Sequence, residues 1–255
     1  MSKYEKLSLV ISVIALLVPI VQLLYKKFFR RQKLKYYPNG KAIVYFNQSG
    51  SYVRIDGAFE AVNEAASIKR ISLKLTRKNN NEQLNLSWSS FISPLTQRIM
   101  NASSQTSECA HAFKIEKDSI ACLFIEFADD SNTPWKRFNT ITTELKNVAS
   151  NLLIIYNNYS DALKAFMDND KYKEVKKKWE KEFFWEIGKY MLEISVSYCN
   201  KHIVYKYEIE VNQSIYNGLY GNIDESLVSM LKDVYRIPYS FYSGEVDLHT
   251  KENDF

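Results

Sequence analysis

The chain has 255 residues, 34 Lys or Arg against 29 Asp or Glu, and a net charge of +5. The positive excess sits at one end: residues 1–35 hold eight Lys or Arg and one Glu, so residues 36–255 carry 26 basic and 28 acidic side chains and a net −2. That balance excludes a basic nucleic-acid-binding domain, and three cysteines exclude a disulfide framework.

Leu7 to Leu24 (LSLVISVIALLVPIVQLL) is an apolar run without a charge. As a helix it is about 27 Å long at 1.5 Å per residue, close to the roughly 30 Å core of a bilayer. It is expected to be a single transmembrane helix. A cleaved signal peptide fits less well, because the run is too long and no small-residue cleavage site follows. Tyr4 and Tyr25 bracket the run where aromatic rings favour the interface. Lys26, Lys27, Arg30, Arg31, Lys33 and Lys35 follow with no acidic residue among them. Together these eight side chains form the expected interface with an anionic leaflet. The positive-inside rule then expects a single-pass protein of the inner (plasma) membrane with its C-terminal domain in the cytoplasm. Five Asn-x-Ser sequons, at Asn47, Asn85, Asn101, Asn158 and Asn212, oppose that placement and are outweighed by the six cations.

After Tyr36 the period becomes two. Val53, Ile55, Phe59 and Ala61 alternate with polar neighbours, as do Ile71, Leu73 and Leu75, and then Leu84, Leu86 and Trp88. Ile120 to Phe127 is apolar on both faces, the mark of a covered strand. Tyr190 to Tyr198 and Ile203 to Val211 alternate strictly and are joined by Cys199-Asn200-Lys201-His202, which predicts a long hairpin. Pro38-Asn39-Gly40 is a turn signal before a strand at Ala42 to Phe46. About seven strands with short turns predict an immunoglobulin-like antiparallel β-sandwich.

Between the strand near Phe124 and the final hairpin the period lengthens. Ile141, Leu145, Val148, Leu152, Ile155, Tyr159, Leu163 and Phe166 form one helical stripe of about seven turns. A second helix carries Tyr172, Val175, Trp179, Phe183 and Ile187, and Gly188 ends it. The expected fold is therefore mainly β, with a helical hairpin inserted at about 139–187. A short helix is expected at Glu225 to Tyr235 with Asp224 as its N-cap. The organisation reads as an anchor and basic segment at 1–35, a domain at 36–243, and a loose tail at 244–255.

No catalytic motif is found. Seven glycines give no phosphate-loop spacing, and no nucleophile elbow is present. Cys109-x-His111 with Cys199-x-x-His202 is the one zinc-like pattern; exposed loop residues are the better reading, so no metal or cofactor is expected. Glu126, Asp129 and Asp130 form an acidic cluster that reads as a solvated turn. Trp135 and Trp185 flank the helical insertion. The lysine face of the second helix (Lys173, Lys176, Lys177) and the C-terminal tyrosines Tyr239 and Tyr242 are the expected partner-binding side chains, because Tyr favours interfaces. The expected function is a non-enzymatic, membrane-tethered module that recruits or senses a protein partner and self-associates through the span. The alternative is an oligomerising membrane effector of a defence or toxin-type system.

Overall fold

The computed structural model describes residues 3–29, 31–99, 102–129 and 133–250. Side chains at 3, 5–6, 9–10, 26–29, 93–99 and 102–106 lie outside that description.

Strict alternation is realised as long strands. β1 (Lys33–Asn47), β2 (Gly50–Val62), β3 (Ala66–Arg77) and β4 (Gln83–Ile99) come first, with β5 (Ala102–Cys109), β6 (Phe113–Ile115) and β7 (Ser119–Ala128) following. β8 (Gly188–Tyr198) and β9 (Lys201–Val211) form the expected hairpin. Its two-residue turn, Cys199-Asn200, has positive φ at both positions, 42° and 62°. Those are the values a primed hairpin turn needs to match strand twist.

The strands do not divide into two sheets. They form one antiparallel sheet in the order β10-β1-β2-β7-β4-β3-β8-β9-β11, where β10 is Ser243–Asp247 and β11 is His249–Thr250. The immunoglobulin-like sandwich is thus corrected to a nearly closed barrel. Closure has a visible cause. The Tyr205 hydroxyl on β9 donates to the Leu34 carbonyl on β1 at 2.8 Å, and Lys201 Nζ donates to the Gln32 carbonyl at 3.1 Å. Inside that junction the Tyr36 ring packs on Phe59, Tyr205 and Tyr207 at 4.6, 5.5 and 6.3 Å. Long strands bend to allow this: β1 shifts register between Pro38 and Ala42, with Gly40 at φ 81°.

The inward face of every long strand supplies the core. On β8, Tyr190, Leu192, Ile194, Val196 and Tyr198 are all buried, each side chain contributing roughly 1.5–3 kcal/mol over exposure. Helices cap the end of the barrel where β1 finishes and β8 begins. They are α2 (Thr133–Ile155), α3 (Tyr159–Asp168), α4 (Asp170–Trp179) and α5 (Gln213–Tyr235). Phe46 at the end of β1 meets Trp179 and Phe183 at 5.4 and 5.1 Å, and Phe138 meets Trp179 at 4.8 Å.

Three helical expectations are corrected. The stripe from Ile141 to Phe166 is two helices, because Asn158 caps α3 by accepting from the Asp161 N–H at 2.9 Å. The insertion is therefore three helices, not a hairpin of two. The last helix begins at Gln213, capped by Asn212; Asp224 lies within it, accepting from Tyr172 Oη and Lys176 Nζ at 2.6 and 2.8 Å. The stretch read as a loose tail carries β10 and β11 in its described part, paired to β1 and β9.

The N-terminal run is a helix, α1 (Lys3–Phe29). The membrane span expected within it is not supported: among the described residues no helix is long and apolar enough to cross a membrane. Ser12, Pro19 and Gln22 interrupt the apolar character of α1. With no span, the single-pass topology and inner-membrane placement lose their basis. All the described side chains of α1 are exposed.

Candidate functional site

Two β-bulges open the barrel wall on one side. β3 shifts register against β8 between Ile68 and Arg70, so Lys69 is an extra residue. In a regular strand Lys69 and Arg70 would face opposite ways. Here both are exposed between buried Ile68 and Ile71. β4 shifts register against β7 between Trp88 and Ser90. The β3–β4 ladder stops at Ser72↔Ser87, and the β4–β7 ladder begins at Ser87↔Ala128. The two strands splay, and bulges at such positions re-aim side chains.

The splay leaves a cavity of about 280 Å³ lined by Lys69, Arg70, Ser87, Trp88 and the Ala110-His111-Ala112 linker. Among the described residues no carboxylate pairs with Lys69 or Arg70; Lys69 Nζ donates to Asn200 Oδ1 at 3.2 Å. Trp88 is 8% exposed, and its Nε1–H is buried without a hydrogen-bond partner. A buried donor left so costs on the order of 1–3 kcal/mol.

His111 also walls a second, more apolar cavity of about 390 Å³, with Phe91, Phe113, Leu123 and Phe124. The Phe91 ring stands edge-on to His111, Phe113 and Trp88 at 5.5, 5.6 and 4.5 Å. His111 Nδ1 is 3.1 Å from the Cys109 carbonyl and 3.8 Å from Glu108. β7 contributes here because its Ser119–Phe124 half pairs only with β2, while its Ile125–Ala128 half also pairs with β4.

The residues expected from sequence lie elsewhere. Tyr4 and Tyr25 are exposed on α1, and the side chains of Lys26 and Lys27 and all of Arg30 are outside the described residues. Arg31 accepts at its carbonyl from Asn63 Nδ2, and Lys33 and Lys35 are exposed on β1, with Lys35 3.7 Å from Glu60. On α4, Lys173 and Lys177 are exposed, but Lys176 is held by Asp224 at 2.8 Å. Tyr239 is at the surface, and the Tyr242 ring lies over Gly218 of α5, where an added Cβ would come within 2.5 Å of it. Tyr242 also exchanges backbone hydrogen bonds with Asn222 at 2.7 and 2.8 Å. Asn222 and Asp224 are two residues apart on one helix, so they point to nearly opposite sides. Lys176 and Tyr242 therefore do not share a surface.

The cysteine–histidine pattern does not converge. Cys199 Sγ accepts from the Ser67 N–H at 3.1 Å at the β8–β9 turn, and this bond holds the thiol below its usual range. Cys109 is exposed beside the seam. Among the described residues no group of three His, Cys, Asp or Glu could hold a metal. Glu126 is engaged by the Tyr45 hydroxyl and by Ser90 Oγ at 3.3 Å. Burial, then the Glu126 charge, pushes the Tyr45 phenol well above its usual range. Trp135 is partly exposed at the start of α2, whereas Trp185 is fully buried against Tyr190 at 5.7 Å.

Sequence reasoning missed the seam because a bulge is a property of pairing. The available signal was Lys69-Arg70 set between two apolar residues in an otherwise alternating strand. No protein-family model, curated protein or solved structure matches this chain.

Proposed function

We propose that this protein is a binding module that senses or recruits a partner through its barrel body and assembles with copies of itself through α1. One observation carries the reading. Leu7, Ile11, Val13, Ile14, Leu16, Leu17, Val18, Ile20, Val21, Leu23 and Leu24 are 45–67% exposed and lie on every side of α1. A helix apolar all round is stable in water only when it is covered. One partner helix covers one stripe, so several copies of α1 packed together answer the requirement better than a single docking groove.

The test keeps the full chain. Sedimentation velocity over a concentration series is expected to show a concentration-dependent oligomer for the native sequence. Leu16→Glu with Leu23→Glu, both at exposed positions, is expected to give a monomer with an unchanged circular dichroism melt of the barrel. A monomer at every concentration for the native chain would refute the assembly.

A further inference from the structure

We propose that the bulged seam is a binding site for a small aromatic phosphate monoester, with the phosphate at Lys69 and Arg70 beside Trp88 and the ring against Phe91 and Phe113. This rests on reading the barrel as a binding body and supplies its ligand class. Three observations point the same way. The β3 bulge turns two consecutive cations to one side, at a cavity wide enough for a phosphate group. Neither cation has a carboxylate partner among the described residues. The neighbouring cavity, across His111, is walled by phenylalanine rings.

Charge and shape assign the two halves. A phosphate monoester carries close to two negative charges at neutral pH, which suits two cations better than a carboxylate does. A bidentate Arg contact adds geometric selectivity. Planar rings stack or stand edge-on to phenylalanine within about 4.5–7 Å. The two cavities, of about 280 and 390 Å³ with His111 on both, each lie near the lower end of small-ligand sites, roughly 300–1,000 Å³.

The probe is phenyl phosphate, titrated by calorimetry into the full chain, with inorganic phosphate and phenol as separate titrants. Phenyl phosphate is expected to bind one-to-one with a Kd below about 1 mM, and each fragment alone roughly tenfold or more weakly. Lys69→Ala with Arg70→Ala, at exposed positions, is expected to weaken phenyl phosphate by roughly tenfold or more. In nitrogen-15 spectra the Trp88 indole N–H, assigned with Trp88→Phe, is expected to shift on binding. Absence of binding, an unaffected double variant, or a stationary Trp88 signal would each overturn the proposal. Equal affinity for inorganic phosphate would overturn its aromatic half. Assembly through α1 is read by sedimentation without ligand, so the two proposals fail separately.

Discussion

Asn222 offers the sharpest test of how the helical cap is held on the barrel. It lies in the middle of α5, is 2% exposed, and makes three hydrogen bonds to backbone. Its Nδ2 donates to the Phe46 carbonyl at 2.9 Å and to the Tyr242 carbonyl at 2.7 Å, and its Oδ1 accepts from the Tyr242 N–H at 2.8 Å. One side chain thus ties α5 to the end of β1 and to the segment entering β10. Asn222→Ala removes all three bonds and leaves buried backbone groups unpaired. At about 1 kcal/mol per bond the loss is about 3 kcal/mol, which for a chain of this size lowers Tm by roughly 6–12 °C. Asn222→Asp is isosteric but turns an acceptor toward two carbonyls. Burial and those carbonyls raise its pKa in the folded state, so its folded form binds more protons than its unfolded form. The resulting destabilisation is full above the raised folded-state pKa, shrinks as the pH falls from there toward about 4, and is smallest below that, the reverse of ordinary acid denaturation. Thermal melts by circular dichroism at pH 7 and pH 4.5, each against the native chain, read both effects. A Tm change under about 2 °C for Asn222→Ala would refute the staple. So would an Asn222→Asp deficit, relative to the native chain, that grows on acidification.

Other perturbations bear on other parts of the structure. Gly57→Ala places a Cβ within 2.7 Å of the Tyr37 carbonyl and the Tyr36 ring; it is expected to lower chemical-denaturation stability by about 1–3 kcal/mol. Gly218→Ala places a Cβ within 2.5–2.7 Å of Cδ1, Cε1 and Cγ of Tyr242, so its cost is expected to vanish in a Tyr242→Ala background. Arg77 is buried, 2.6 Å from Glu82 and 3.0 Å from Glu186, and donates to the Phe184 carbonyl. Arg77→Met strands that carbonyl and is expected to cost about 1–3 kcal/mol in the same assay. Burial pushes the Tyr207 phenol up to about 12 from 10.0. The stability it contributes is full below pH 10 and is lost as pH rises through about 12. Alkaline melts of Tyr207→Phe are accordingly expected to show a shallower decline over that interval.

What could be read from sequence follows from which forces are local. The strands at 52–61, 71–76, 190–198 and 203–211 were legible because one face of each is buried, and alternation records burial directly. The β8–β9 hairpin was legible for the same reason, but its connection is two residues, not four, because Lys201 and His202 pair with Tyr198 and Ser197. Barrel closure was not, because it rests on Tyr205 meeting Leu34 and on β10 and β11, which are short and carry little apolar pattern. β5, rich in Ser and Thr, was equally silent. The continuous stripe from Ile141 to Phe166 concealed the break between α2 and α3, although Asn158 with Asp161 was a legible cap. The candidate site was least legible. Lys173, Lys176, Lys177, Tyr239 and Tyr242 were selected as exposed residue types, whereas the seam arises where register slips at Lys69 and Ser89.

Hydrogen exchange of α1 tests the binding-module reading most directly. A lone, solvated helix with frayed ends exchanges its amides quickly. In the native chain at a concentration where the oligomer forms, peptides spanning 7–25 are expected to be strongly protected, and dilution to the monomer is expected to remove that protection while the barrel strands keep theirs. Fast exchange across 7–25 at every concentration, or protection that dilution leaves unchanged, would contradict assembly through this helix.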